Sequence, residues 1–363
     1  MSSPETPRPR WTGFRRLDDH GESLVLGFNH HNVHFSVVVA SIDDAAGEAL
    51  APEDYYFDNS IEGKILIELS ELSTYDSDKP WPKENQEASR RLEKHLADLA
   101  VDACLATMQQ LAPYPKPAAR TLQEALYPTS YALQIFTEGD KLACRTLHDY
   151  TGIAERHPAI PSERLRDMGL DLETTDRRVI KASDVILVRH LQNFAWKVTV
   201  DGEEMVCKTS LDIIEHAIAE ELATYLKIRS AAGVELRVPK LKGLISSHLG
   251  IIGILLTHIP HKHHSLRTLL AGIKDGTVPP SEATPSLRQK WARQIRETVA
   301  GLHGLGILWR DVKTDNVLID EGGDAVVLDF GGGNTVGWVD HEKYGTMEGE
   351  EQGMGKIMEV LGV

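Results

Sequence analysis

Two acids, a lysine and an amide stand in a fixed pattern in residues 308–331, LWRDVKTDNVLIDEGGDAVVLDFG. Asp311, Lys313 and Asn316 precede one short apolar run, and Asp329 follows the next. The runs NVLID and AVVLD read as strands joined by the turn Glu321-Gly322-Gly323-Asp324. A tight hairpin there carries the loop before the first strand to the end of the second, so Asp311 and Asn316 gather with Asp329 around one cavity. Carboxylates on separate loops can divide the labour. One accepts a proton from a hydroxyl, the other holds a divalent cation, and an amide oxygen ligates a second cation without adding charge. Phosphoryl transfer from ATP needs these parts, together with groups that hold the triphosphate.

Those groups must come from earlier elements. MVCK ends in Lys208 on a strand that follows the two-residue hairpin turn Asp201-Gly202, and ILVRHL (186–191) and WKVTV (196–200) read as the strands before it. The text LDIIEHAIAEELATYLKI (211–228) is helical. Glu221 shares the face of Ile214, Ile218 and Tyr225, whereas Glu220 turns away with Ala217. Strand text returns at 247–259. A polar loop is expected over 275–286, and Ser286 with Gln289 reads as a capping box for a helix that repeats Leu287, Trp291, Ile295 and Val299 on one face and ends near Gly304 and Gly306.

The chain has 363 residues, 41% of them hydrophobic, and a formal net charge of −15. That charge argues against a nucleic-acid or anionic-membrane binder, which needs a basic face. The three cysteines, Cys104, Cys144 and Cys207, form no CxxC pair, so neither a disulfide framework nor a cysteine zinc site is expected. No signal peptide and no membrane-length apolar run is visible, and the expected location is cytoplasmic or nuclear. Residues 1–20 are expected to be disordered, with three prolines in the first ten positions. Strands are expected between 22 and about 75, a long amphipathic helix over 85–111 ended by the proline-rich 111–120, and a hairpin over 130–147. Nothing before about residue 180 carries readable chemistry.

RDVKTDN resembles the protein-kinase catalytic loop, and Asp329-Phe330-Gly331 resembles the kinase metal-binding motif. The resemblance implies an α+β, two-lobed protein-kinase-like fold at 181–363, with a first lobe over about 181–259 and a second over about 260–363. A mixed α/β accessory region at 21–180 would precede it. It implies ATP and Mg2+ as cofactors and a protein or small-molecule hydroxyl as acceptor. Asp311 would be the catalytic base, Lys313 a neutralising group beside the transferring phosphoryl, Asn316 and Asp329 the metal ligands. Lys208 in MVCK is similar to the family's VAIK lysine and would take the phosphates, aimed by an ion pair with Glu221. Val206, two positions earlier, would face the adenine. Leu256 would precede the segment linking the lobes, where backbone groups of Thr257 and Ile259 would bond the base. WRDVKTDNVLID, LDFGGGNTVGWVD and EGEEQGMGKIMEVLG are similar, further, to short kinase-like proteins of filamentous fungi.

The pattern departs from the family at three places. The connection RHLQNFA has no glycine where the family's phosphate loop has several, although glycine lets backbone N–H groups approach phosphates. Trp309 replaces the histidine of HRD. Thirty-two residues follow Gly331 and contain no APE, so a truncated second lobe without the usual peptide platform is expected. These departures keep open a second reading, a nucleotide-binding pseudokinase that acts as a scaffold. Glu350 or Glu351 would anchor the catalytic loop or start a solvated helix. The histidines of HIPHKHH (258–264) and HHNVH (30–34) read as solvated loops before they read as metal sites.

Overall fold

The computed structural model describes residues 8–16, 24–39, 60–73, 82–115, 118–148, 159–170, 178–192, 194–209, 215–231, 233, 235–333 and 335–363. These residues form two packed units of an α+β protein. The first takes the described residues up to Ala119 and those from Glu124 to Ala154; the second takes Arg120–Gln123 and those from Glu155 onward. The sequence reading places residues 155–180 with the earlier region. In the structure Ile160, Leu165 and Leu170 are buried in the second unit's core, and the Ile160 N–H bonds the Ile251 carbonyl at 2.7 Å.

The first unit is a five-stranded sheet in the order β1 (Arg10–Arg16), β2 (Leu24–His30), β3 (Val33–Val39), β4 (Ser130–Glu138), β5 (Lys141–Leu147). Only β3 and β4 run parallel, because helices α1 (Ile61–Ser73) and α2 (Lys83–Leu111) cross between them and cover one face. β1 lies inside the stretch 1–20 that the sequence reading leaves without structure; residues 1–7 lie outside the described residues. The strands expected between 22 and 75 hold only as β2 and β3, while 40–59 lie outside the described residues. Residues 61–73 are helical instead, because Glu62, Ile65, Leu66 and Leu69 recur at helical spacing and are all buried. The helix α2 and the β4–β5 hairpin run where the periodicity predicts them. The α2 face that enters the core is centred on Leu96, Ala100, Cys104 and Met108.

In the second unit the short α3 (Leu122–Leu126) begins, and α4 (Ser162–Asp167) follows. A six-stranded sheet then runs β6-β10-β11-β9-β8-β7, built from β6 (Val179–Lys181), β7 (Ile186–Gln192), β8 (Ala195–Val200), β9 (Glu203–Thr209), β10 (Leu241–Ser247) and β11 (Gly250–Thr257). The β8–β9 turn places Asp201 and Gly202 at φ 49° and 81°, the left-handed pair that a two-residue hairpin requires. Helix α5 (Glu215–Ser230) follows β9; residues 211–214 of the expected helix, including Ile214, lie outside the described residues. The strand text at 247–259 proves to be the second arm of a hairpin, whose first arm β10 has a less apolar sequence, LKGLISS.

After β11 come α6 (Leu266–Asp275), α7 (Pro285–Gly304), the small hairpin of β12 (Val317–Ile319) and β13 (Ala325–Val327), and α8 (Met347–Leu361). α6 was not expected from the sequence. Its Ser265 and Thr268 form a reciprocal capping box. The box expected at Ser286 and Gln289 does not form: α7 is capped two residues earlier, with the Thr284 hydroxyl accepting from the Leu287 N–H and Pro285 in the first turn, where its missing N–H costs nothing. Trp291, Ile295, Val299 and Leu302 of α7 are buried at the centre of this core.

Candidate functional site

The chain enters the loop 308–316 from a Schellman turn that closes α7. The Gly306 N–H bonds the His303 carbonyl at 2.9 Å and the Ile307 N–H bonds the Leu302 carbonyl at 3.0 Å, with Gly306 at φ 66°. At the other end of the loop, Lys290 Nζ and Trp291 Nε1 donate to the Gly323 carbonyl at 2.9 and 3.1 Å. The Gln294 amide donates to Asp324 and accepts from the Ala325 N–H. Helix α7 therefore grips both the entry to the loop and the turn of the β12–β13 hairpin, so that Asp311 and Asp329 have a common support.

Two non-glycine residues of this region are left-handed, Arg310 at φ 70° and Asp329 at φ 65°. Such backbones persist only where their surroundings hold them. Glu350 of α8, 2% exposed, accepts the N–H groups of Trp309 and Arg310 at 3.0 and 2.7 Å and contacts His303 Nε2 at 3.1 Å. The Trp309 indole N–H donates to the Leu328 carbonyl at 2.8 Å, one residue before Asp329. Trp309 thus ties the two acidic segments together as well as packing. α8 comes close enough because it carries glycine at the contact: a Cβ on Gly353 would stand 2.6 Å from the Val312 Cβ.

The Asp311 carboxylate is buried and accepts hydrogen bonds at both oxygens. Oδ2 accepts from Lys313 Nζ at 2.5 Å and from Asn316 Nδ2 at 2.9 Å, and Oδ1 accepts from the Thr335 hydroxyl at 3.1 Å. Lys313 also donates to Thr335 at 2.8 Å. The Asn316 amino group is spent on Asp311, whose backbone carbonyl it bonds as well at 3.0 Å, and its amide oxygen takes no part in these bonds. Thr335 is a member of this cluster that sequence reasoning missed. It sits in a glycine-rich stretch with no strand or helix periodicity from which its position could be read.

Across the cavity Lys208 Nζ lies 2.7 and 2.9 Å from the two oxygens of Glu221 and 2.8 Å from Asp329 Oδ1. Burial alone would favour the neutral amine, but the facing carboxylates of Glu221 and Asp329 outweigh it and hold the Lys208 ammonium above its ordinary value. Burial pushes Glu221 up against the pull of Lys208. Asp329, although burial pushes the other way, is held below its ordinary value by the Lys208 charge. Tyr225, one turn after Glu221, stacks edge-on against Phe330 with centroids 5.4 Å apart. The other glutamate, Glu220, bonds Arg310 and lies 3.9 Å from Arg164 of α4.

One cavity is lined by Lys208, Val206, Thr257, Ile259, Asn316 and Asp329. An adjoining one is lined by Glu221, Asp311 and Lys313 and again by Lys208 and Asp329. The two cavities have Lys208 and Asp329 in common, and between them they take in Val206, Glu221, Thr257, Ile259, Asp311, Lys313 and Asn316. Met205, which precedes Val206, is wholly buried. The Thr257 N–H is taken by the Lys240 carbonyl at 3.0 Å and the Ile259 carbonyl by His261 Nδ1 at 2.6 Å. Phe194 and Ala195 line the adjoining cavity from the glycine-free β7–β8 connection; Asn193 lies outside the described residues.

His258, His261 and His264 of the 258–264 run line the first cavity, and three histidines of the run have partners. His261 bonds Ile259, His263 bonds Glu282 at 2.9 Å, and His258 lies 3.8 Å from Glu204. Among the described residues no group of three His, Cys, Asp or Glu side chains is arranged to hold a metal ion. His31 bonds the Ala112 carbonyl at 2.8 Å in the first unit.

No family model matches the chain. Part of it is similar to a serine/threonine-protein kinase, PKH3, of Eremothecium gossypii, with 32% identity over 105 residues, 26% of this chain and 14% of that protein. A stretch of 52 residues is 42% identical to the serine/threonine-protein kinase pim-2 of Danio rerio, covering 14% of this chain and 17% of that one. The chain thus spans less than a fifth of either relative. Among the described residues no helix is long and apolar enough to cross a membrane.

Proposed function

We propose that the chain is a phosphotransferase with a two-lobed protein-kinase-like fold over its second unit, moving the γ-phosphoryl group of ATP to a hydroxyl acceptor on a protein or a small molecule. The observation that carries this reading is the meeting of two clusters on one cavity: Lys208–Glu221–Asp329 and Asp311–Lys313–Asn316. The adenine would lie against Val206 and the backbone of Thr257 and Ile259, with the phosphates toward Lys208. Glu221 keeps that ammonium charged and aimed, and the hydrogen bond it gives Asp329 can pass to a phosphate oxygen. Asp311 accepts the proton of the acceptor hydroxyl as the phosphoryl is transferred, a step worth about 10²–10⁴ in rate. Lys313 offsets the charge near Asp311 throughout.

Asp329 and the free amide oxygen of Asn316 form a hard-oxygen donor pair of the kind that suits Mg2+. Bound there, the ion would neutralise the phosphate charge during transfer. A second reading, a nucleotide-binding module without turnover, is favoured by one observation: the β7–β8 connection has no glycine to cradle phosphates.

Purified protein with Mg-ATP separates the two. The first reading expects autophosphorylation or ATP consumption that disappears in Asp311→Ala and Asp329→Ala. Equal signals from all three proteins would refute it. Nucleotide binding in wild type without turnover above either variant would establish the second.

A further inference from the structure

The cavity that Asp311 and Lys313 line is walled in part by bare backbone. Gly331 and Gly332 line it beside Lys208 and Asp329, and each glycine of the run 331–333 stands where a side chain has little room. A Cβ on Gly331 would lie 3.2 Å from the Ala217 carbonyl oxygen of α5, one on Gly332 would lie 2.8 Å from the Tyr344 hydroxyl, and one on Gly333 would lie 3.3 Å from Asp311 Oδ2. Gly332 and Gly333 also take φ values of 81° and 146°, which glycine adopts without strain.

Tyr344 holds the run in place. Its hydroxyl accepts the Gly333 N–H at 2.8 Å. The turn that carries Tyr344 is tied in turn to the start of α8: the Thr346 hydroxyl donates to the Lys343 carbonyl at 2.7 Å and accepts the Gly349 N–H at 3.1 Å, and Lys343 pairs with Glu348 at 2.9 Å. Among the described residues the Gly332 N–H has no hydrogen-bond partner. On the reading of the site as an ATP phosphotransferase, we propose that Gly331–Gly333 is the backbone wall that receives the terminal phosphate of ATP, in place of the glycines missing from the β7–β8 connection, and that Tyr344 is the residue that positions it.

Exposed backbone N–H groups in turns with left-handed residues make concavities that suit anions. The two cavities share Lys208 and Asp329, so a triphosphate that starts in the first and passes Lys208 ends in the second, beside Asp311 and the glycine wall. Lys208 and Lys313 both line that second cavity and supply the positive charge that a backbone amide lacks. Only the terminal phosphate reaches so far. A diphosphate stops short of the wall, and adenosine stays wholly in the first cavity. A β7–β8 connection without glycine is then no obstacle to holding the phosphates, because the close approach is made by a different segment.

The test titrates the full chain with Mg-ATP, Mg-ADP and adenosine by calorimetry, in wild type and in Tyr344→Phe, which removes one hydroxyl from a side chain 37% exposed. Wild type should bind Mg-ATP more tightly than Mg-ADP. Tyr344→Phe should weaken Mg-ATP by about three- to tenfold, the worth of one hydrogen bond, and leave Mg-ADP and adenosine as they were. A tyrosine that merely supports the fold would lower all three affinities together, and that result overturns the proposal. An ATP-to-ADP ratio that is unchanged in Tyr344→Phe, or equal affinities for the two in wild type, also overturns it while leaving the nucleotide cavity standing. Wild type that binds none of the three would sink the nucleotide reading and this inference with it. Should Tyr344→Phe not fold, amide hydrogen exchange in wild type decides: protection at residues 331–333 should rise with Mg-ATP and not with Mg-ADP, and equal protection by both overturns the proposal.

Discussion

Lys208 serves two carboxylates at once, so the cost of removing it falls on the partners left behind. Glu221 has a side chain only 4% exposed. In Lys208→Met its charge is buried without a counter-ion, which should cost about 3–5 kcal/mol in urea unfolding. Lys208→Met with Glu221→Leu should recover part of that loss, while nucleotide binding stays absent. Because the folded Lys208 sits above its ordinary value of 10.5, its contribution is complete below that pH and is lost only as pH rises through the higher folded value. On the acid side His258 matters more. Burial first, then the neighbouring Lys197, lowers it from 6.5. The unfolded chain therefore binds the proton first, and thermal stability should begin to fall as pH drops below 6.5, less so in His258→Gln. Lys208, Asp311 and Asp329 were legible because their chemistry depends on spacing along short, regular elements. Thr335 and the Arg310–Glu220 bond were not, since they join residues far apart in sequence through loop geometry alone.

Helix α8 illustrates how an element can carry a site while contributing no reacting group. Glu350 and Gly353 lie one turn apart on the face that meets the loop, one accepting two backbone N–H groups and the other admitting Val312. Glu350→Ala leaves both donors without a partner beside a left-handed Arg310. It should cost about 2–5 kcal/mol and lower turnover more than it raises the KM for ATP, with Glu350→Gln milder. Gly353→Ala should destabilise by about 1–3 kcal/mol through overpacking. Helix α5 is held differently, by Glu221 on its buried face and by Glu220 bonded to Arg310. That second pair is about 40% exposed on both sides, which limits it to about 0.2–1 kcal/mol. Glu220→Arg should accordingly raise the KM for ATP no more than about fivefold, and adding Arg310→Glu should restore it; an unchanged KM in both would show that the bond does not position α5. The buried face of α5 was readable from helical spacing. β10 and α6 were not, because LKGLISS is too weakly apolar and the cap Ser265 is hidden at the end of a histidine run.

The two units have separate cores with no residue in common, and they differed in how far the sequence disclosed them. In the second unit a motif pointed to a candidate site, and the strands and helices could be arranged around it. In the first unit only periodicity was available. It identified α2 and the β4–β5 hairpin, but it misread 61–73, where alternating apolar residues of a short helix look like strand text. Ile160, Leu165 and Leu170 pack in the second core, which the sequence did not disclose because nothing in the composition around them marks a boundary. The placement of the tryptophans allows the proposed function to be read in the intact chain. Trp291 and Trp309 are both buried in the second unit's core, and Trp309 is bonded to the carbonyl before Asp329. Unfolding followed by tryptophan fluorescence therefore reports chiefly on the unit that holds the cavity. A nucleotide that binds only the folded form stabilises it by RT ln(1 + [L]/Kd), about 2.7 kcal/mol at a hundredfold excess over Kd. Mg-ATP should raise the fluorescence midpoint of wild type by a matching amount and leave Lys208→Met unmoved. If the shift were equally large in Lys208→Met, the ligand would be binding outside the Lys208 cavity, and the assignment of that cavity to nucleotide would fall.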